Sequence, residues 1–164
     1  LQRLKTIGDG YMCAGGIPHA NKTHAIDCVL AGLHMQRFIV SRASAIRAAG
    51  RPYWELRLGI HTGPVIAGVI GTERFAYDVW GDTVNLASRM EESGEETKVN
   101  VSQETYEEIQ DLFVCEARGQ IAAKHKARVA MHFVHRIKPE LSDDAEGVRP
   151  NAAFLEHRQR LATG

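Results

Sequence analysis

At 164 residues, with 44% hydrophobic and 24% charged side chains, the chain has the length and composition of one globular domain that can bury a sizeable core. Its 20 Lys and Arg balance 20 Asp and Glu, which excludes a global field directed at nucleic acid or an anionic membrane. No run approaches ~20 uninterrupted apolar residues and no signal peptide opens the chain, so the expected location is cytoplasmic, including the cytosolic domain of a membrane protein.

Cys13, Cys28 and Cys115 are odd in number and far apart, with no CxxC pair. That pattern fits reduced thiols better than a disulfide framework or a zinc site. Two of the three lie in apolar runs and are expected in the core.

The chain opens with "LQRLKTIGDGYMCAGG", two strands on either side of a Gly-Asp-Gly turn, which predicts a hairpin. Lys5 and Asp9 are the lone charges between Leu4 and Gly16. Turn chemistry by itself accounts for an Asp at a hairpin tip. "THAIDCVLAGLHMQRFIVSRASAIRAAG" predicts a long amphipathic helix with Ile26, Val29, Leu30, Leu33, Ile39 and Val40 on or near one stripe, closed by Gly50 and Pro52.

"WELRLGIHTGPVIAGVIG" reads as two strands joined through Thr62-Gly63-Pro64, and "AYDVWG" as a further short strand. "DTVNLASRMEES" predicts a helix capped by Asp82 or Thr83. "KVNVS", "QETYEEIQD", "LFVCEARG" and "RVAMHFVHRI" then read as strand, helix, strand, strand. From Pro139 onward the composition is polar and rich in turn residues, which predicts a tail over 139–164 leading to a short final helix. Hairpins mixed with helices in this order predict an α+β fold rather than a doubly wound parallel sheet.

Two placements in the middle of the chain point to chemistry. On the helix from Asp82, Val84, Leu86, Ala87 and Met90 fall on one arc, and Asn85, Ser88 and Arg89 on the other. Asn85 and Arg89, four apart, stack an amide and a guanidinium on one face. A solvated face explains such a pair equally well in a single helix. Just upstream, Tyr77, Val79 and Trp80 surround Asp78 with bulky apolar groups, and a carboxylate there needs a partner or a job. Arg and Asn together can hold a phosphate oxygen and a sugar. The chain has no Walker loop and no GxGxxG, so a nucleotide bound here would be held by side chains and metal.

"LKTIGDGYMCAGG", "LRLGIHTGPVIAGVIG" and "YDVWGDTVNLASRM", in this order, resemble the core of a class III nucleotidyl cyclase catalytic domain, over roughly residues 2 to 137. The resemblance implies a ferredoxin-like α+β sandwich with a mixed, mostly antiparallel sheet and helices packed on it. It also implies a head-to-tail homodimer whose two active sites are each shared between subunits. Asp9 matches the second of two aspartates that hold a pair of Mg2+ or Mn2+ ions. Lys5 and Asp78 match the pair that reads the purine, Asn85 the residue that orients the ribose, and Arg89 the one that stabilises charge on the reacting phosphate. Lys124, in "KHKARV", falls where the family has a Lys-Gly-Lys-Gly loop on the triphosphate, with His125 and Ala127 in place of glycines.

Guanylyl members typically carry Glu and Cys where this chain has Lys5 and Asp78. Adenine presents a donor beside an acceptor, which a carboxylate and an ammonium complement; guanine reverses the two and would leave buried polar groups mismatched. The expected activity is therefore an adenylate cyclase, a phosphorus-oxygen lyase making 3′,5′-cyclic AMP and pyrophosphate from ATP by two-metal catalysis. The alternatives are a guanylyl cyclase and a non-catalytic cyclase-homology module that dimerises or senses nucleotide. Pro64 is common at its position in symmetric cyclases, in line with a homodimer.

The family's first metal aspartate lies in an upstream "FxDIVGFT"-like motif that this chain lacks. The expectation is a partial catalytic domain over 1–138, inactive alone and joined in its parent protein to upstream sensor or regulatory modules. The eight histidines are scattered. His132 and His135, three apart in a strand, should point to opposite faces, His24 and Cys28 should be a satisfied pair, and His61 should be structural.

Overall fold

The computed structural model describes residues 1–71, 75–122 and 128–163. Strands β1 (Gln2–Ile7) and β2 (Gly10–Ala14) form the opening antiparallel hairpin, with Ile7 paired to Gly10. Gly8 at its tip has φ 61°, a left-handed conformation that glycine enters without a Cβ penalty.

Helix α1 (His24–Ala48) follows and buries Ala25, Ile26, Val29 and Leu33. The expected stripe is longer than the buried one, since Val40 is 42% exposed. A helix of this length runs about 37 Å, and in its second half Phe38 is 57% exposed. Gln36 closes the packed half, its Nε2 donating to the carbonyls of Leu56 and Lys98 at 2.8 Å each.

Strand β3 (Leu58–Ile60), strand β4 (Ile66–Ile70), strand β5 (Ala76–Trp80), helix α2 (Asp82–Glu92), strand β6 (Val99–Ser102), helix α3 (Gln103–Ile109), strand β7 (Phe113–Ile121) and strand β8 (Val129–Ile137) come next. The four-stranded sheet has the order β3-β6-β8-β7. Among the described residues the β3–β6 pair alone runs parallel. β4 and β5 form a separate antiparallel ribbon, as β1 and β2 do. The expected α+β architecture with a mixed, mostly antiparallel sheet is present, divided among three sheets.

One face of the four-stranded sheet carries the main core, where α1, α3 and the C-terminal helix α4 (Ala152–Thr163) pack on Val99, Val101, Val134 and Ile137. The 139–164 segment reaches α4 through a 3-10 turn at Pro139–Leu141. Its Phe154 is fully buried, edge-on to Phe113 with centroids 5.7 Å apart. Arg158 grips Asp27 of α1 with two hydrogen bonds of 2.7 and 2.9 Å.

Helix α2 packs separately, burying Leu86 and Met90 against Val129 and Met131 of β8. Its end presses directly on β3: a Cβ at Gly59 would lie 2.0 Å from the Glu91 backbone nitrogen. The cap differs from the expected Asp82 or Thr83. The N-cap is Gly81, at φ 133°, with no side-chain cap bond; Asp82 and Thr83 lie inside the first turn, and the Thr83 hydroxyl donates to the Pro64 carbonyl at 2.6 Å.

The cysteines are unpaired, as expected, and Cys115 packs against the core cluster. All three are free and partly buried, and none lies in the fully buried core. Burial pushes the Cys28 and Cys115 thiols up to about 11, so they stay protonated and are poor nucleophiles at neutral pH.

Candidate active site: a Lys-Asp pair beside an Asn/Arg helix

Strand β1 contributes Lys5 and strand β5 contributes Asp78, and the two meet between the ribbons. Lys5 Nζ donates to Asp78 Oδ2 at 2.6 Å. Asp78 is only 8% exposed, next to Val79 at 2%. Its other oxygen, Oδ1, accepts from the Val79 amide at 2.9 Å. The Lys5 hydrogen bond, then the Val79 amide, hold its carboxyl below the ordinary value against the opposing effect of burial. The apolar neighbours therefore enclose an ionised carboxylate whose counter-charge comes from a strand 73 residues away in sequence. Gly68 stands directly opposite Asp78 in the β4–β5 register, so no cross-strand side chain covers it.

Helix α2 presents Asn85 to solvent and Arg89 half-buried, with Leu86 and Met90 inward. Arg89 Nη1 donates to the carbonyl of Ala122, at the end of β7, at 2.7 Å. Asp9 is exposed at the hairpin tip. Lys124 lies outside the described residues. Of the six residues singled out from the sequence, then, Lys5 and Asp78 are in contact, while Asn85 and Arg89 share one helix. No cluster of three His, Cys, Asp or Glu able to hold a metal ion occurs among the described residues. The cleft of about 380 Å3 between α1, α3 and α4 contains none of the site residues.

Four histidines, His24, His61, His132 and His135, are held in contacts within the fold. His132 is buried, stacked on Tyr106 with centroids 4.0 Å apart and bonded to Gln103 at 2.7 Å, while His135 pairs with Glu116 on the exposed face. His61 Nδ1 lies 2.7 Å from Ser102 Oγ, and His24 Nδ1 lies 3.7 Å from Glu108. The signal missed in the sequence is Thr83, which reads there as a cap and in the fold ties α2 to the loop after β3.

A lysine paired with a buried aspartate across two ribbons, next to a helix offering an amide and a guanidinium, is the candidate site of this α+β domain. The family model "Adenylate and Guanylate cyclase catalytic domain" matches residues 1–136, and the chain belongs to that family, the class III nucleotidyl cyclases. It is 41% identical over 126 residues to the adenylate cyclase of Mycobacterium tuberculosis, a match that covers 77% of this chain and 28% of that protein. The chain thus spans under a third of the length of that curated relative. The crystal structure of the adenylyl cyclase CyaB from P. aeruginosa superimposes with a TM-score of 0.77 at 32% identity, covering 86% of this chain and 74% of that one. The guanylate cyclase domain of RhGC from Catenaria anguillulae, in complex with GTP, gives a TM-score of 0.73 at 30% identity, covering 84% and 73%. Relatives of both nucleotide specificities therefore share this fold, and no described helix is long and apolar enough to cross a membrane.

Proposed function

We propose that this domain is the catalytic part of an adenylate cyclase that closes ATP to 3′,5′-cyclic AMP and releases pyrophosphate. The observation that carries the reading is the Lys5–Asp78 pair at 2.6 Å. A purine edge entering here meets an ammonium donor beside a carboxylate acceptor. Adenine N1 accepts from Lys5, and its exocyclic amine donates to Asp78. Guanine would set its N1 proton against Lys5 and its carbonyl against Asp78, two mismatches in a desolvated place.

The ribose 3′ oxygen attacks the α-phosphorus in line, and the bond to the pyrophosphate oxygen breaks. Asn85 orients the ribose, since an amide both donates and accepts. Arg89 meets the charge that builds on the transferring phosphoryl group, and Lys124 contacts the triphosphate. Class III cyclase domains use divalent metals, and Asp9 offers one hard oxygen ligand for Mg2+ or Mn2+. One carboxylate with no described cluster around it does not fit a pair of ions, so no step is assigned to metal within a single chain.

A homodimer partner supplies the complementary half: Asp9 of one chain serves the same ATP as Lys5, Asp78, Asn85 and Arg89 of the other. The exposure of Ile66 at 74%, Val69 at 62% and Ile7 at 64% on the two ribbons supports a partner there. In the parent protein, sensor or regulatory modules would drive this output. The test is cyclic nucleotide formation from ATP and from GTP, with manganese, by the full-length protein. Cyclic AMP in clear excess over cyclic GTP is expected; cyclic GTP in excess, or neither product, overturns the reading.

A further inference from the structure

The β3–β4 loop is bound more tightly than a connecting turn needs to be. At its start, His61 Nδ1 lies 2.7 Å from Ser102 Oγ, and Thr105 Oγ1 donates to Thr62 Oγ1 at 3.0 Å. Ser102 and Thr105 are both fully buried, so the loop is anchored to the junction of β6 and α3, which belongs to the rigid sheet. At its far end the Pro64 carbonyl accepts from Thr83 Oγ1 at 2.6 Å. Between them Gly63 passes so close that a Cβ there would sit 2.6 Å from the Thr83 hydroxyl.

Thr83 is in the first turn of α2, and that turn has no side-chain cap. A free helix start frays, because its first amides lack partners. Asn85 and Arg89 follow two and six residues later on the same helix. The other end of α2 is already fixed: Asn100 Nδ2 donates to the Met90 carbonyl at 2.7 Å, and Gly59 lies against Glu91. The start is fixed by Thr83.

We infer that Thr83 is a positioning residue for cyclisation: its hydroxyl, held by Pro64 and fitted over Gly63, locks the first turn of α2 to the sheet and so sets where Asn85 and Arg89 meet the substrate. The inference rests on the functional reading above for its catalytic consequence, and on the fold alone for the lock. A displacement of α2 by a fraction of an ångström leaves ground-state contacts in reach and spoils alignment in the transition state, so the loss falls on kcat.

The experiment compares Thr83→Val, Thr83→Ser and Gly63→Ala in the full-length protein, by amide hydrogen exchange and by steady-state kinetics with ATP. Thr83→Val keeps the shape and removes the donor. It is expected to speed exchange of the amides in the first two turns of α2 about tenfold, with β6 and β8 unchanged. It should also lower kcat about tenfold while KM stays within about twofold. Thr83→Ser keeps the donor and should restore both. Gly63→Ala, which leaves Thr83 in place and crowds its hydroxyl, should reproduce the kcat loss; it also covers the case in which Thr83→Val fails to fold. Unchanged exchange in Thr83→Val, or equal damage in Thr83→Ser, overturns the lock. A wild-type protein making no cyclic nucleotide instead overturns the functional reading, and the exchange comparison then decides the lock alone.

Discussion

Lys5 Nζ and Asp78 Oδ2 stand 2.6 Å apart although 73 residues separate them, joining the opening hairpin to the ribbon that leads into α2. The pair gives Asp78 its counter-charge and leaves the Lys5 side chain 38% exposed.

Exchanging that pair should exchange the substrate. Lys5→Glu combined with Asp78→Cys reverses the donor and acceptor offered to the purine. Cyclic AMP formation is expected to fall by about a hundredfold, with cyclic GTP becoming the larger product. Asp78→Asn alone keeps the shape but strips Lys5 of its counter-charge, and should lower ATP turnover about tenfold with no gain in GTP. Product analysis by chromatography reads both, and a double variant that keeps its ATP preference would remove Lys5 and Asp78 from purine reading.

If one ATP is served by two chains, two dead variants should repair each other. Asp9→Ala and Arg89→Ala are each expected to be inactive. An equimolar mixture allowed to re-pair forms mixed dimers with one intact site, and about a quarter of wild-type activity should return. A mixture that stays silent, with mixed dimers present by mass spectrometry, would count against the shared site.

The C-terminal helix should be part of the stable domain. Phe154 is fully buried against Phe113, and Phe154→Ala is expected to cost about 3 kcal/mol by chemical denaturation. Arg158→Ala removes two hydrogen bonds to Asp27 at a half-exposed site and should cost about 0.5–1 kcal/mol. A Phe154→Ala protein as stable as wild type would show that α4 is dispensable.

Acid should loosen the turn before α4. Burial raises the Asp144 carboxyl, but Ser142 Oγ and the amides of Arg149, Val148 and Gly147 outweigh it and bring it down to about 2, from an ordinary 3.8. A depressed carboxyl stabilises the fold above its unfolded value, and that stability is lost as pH falls toward the folded value. The difference in stability between wild type and Asp144→Asn should therefore be constant near neutral pH and shrink between about pH 4 and pH 2. Denaturation curves across that window provide the check, and a gap that widens in acid would contradict the assignment.

Much of the fold is legible in the sequence because its signals are local. Gly-Asp-Gly between apolar runs is a strong local hairpin signal, and the period of Leu86 and Met90 marks the buried side of α2. Illegible were the features that depend on what lies across a contact. The cap at α2 reads as Asp82 or Thr83, yet the helix starts after Gly81, and the Thr83 hydroxyl donates to the Pro64 carbonyl, 19 residues upstream. Val40 fits the apolar stripe of α1 but is 42% exposed. Phe154 sits in a stretch whose average is polar, and composition averages hide a single anchor.

Residue order and residue type were enough to establish the family, the α+β class and the chemical menu of Lys5, Asp9, Asp78, Asn85 and Arg89, because motif spacing and side-chain chemistry are properties of the chain itself. Which of these groups meet was decided by tertiary structure. Lys5 finds Asp78 because two separate ribbons pack side by side, and Arg89 reaches Ala122 because α2 lies over the end of β7. Such pairings join positions 73 and 33 residues apart, and hydrogen bonds act over about 3 Å, a scale at which only the folded arrangement of backbone decides what touches what.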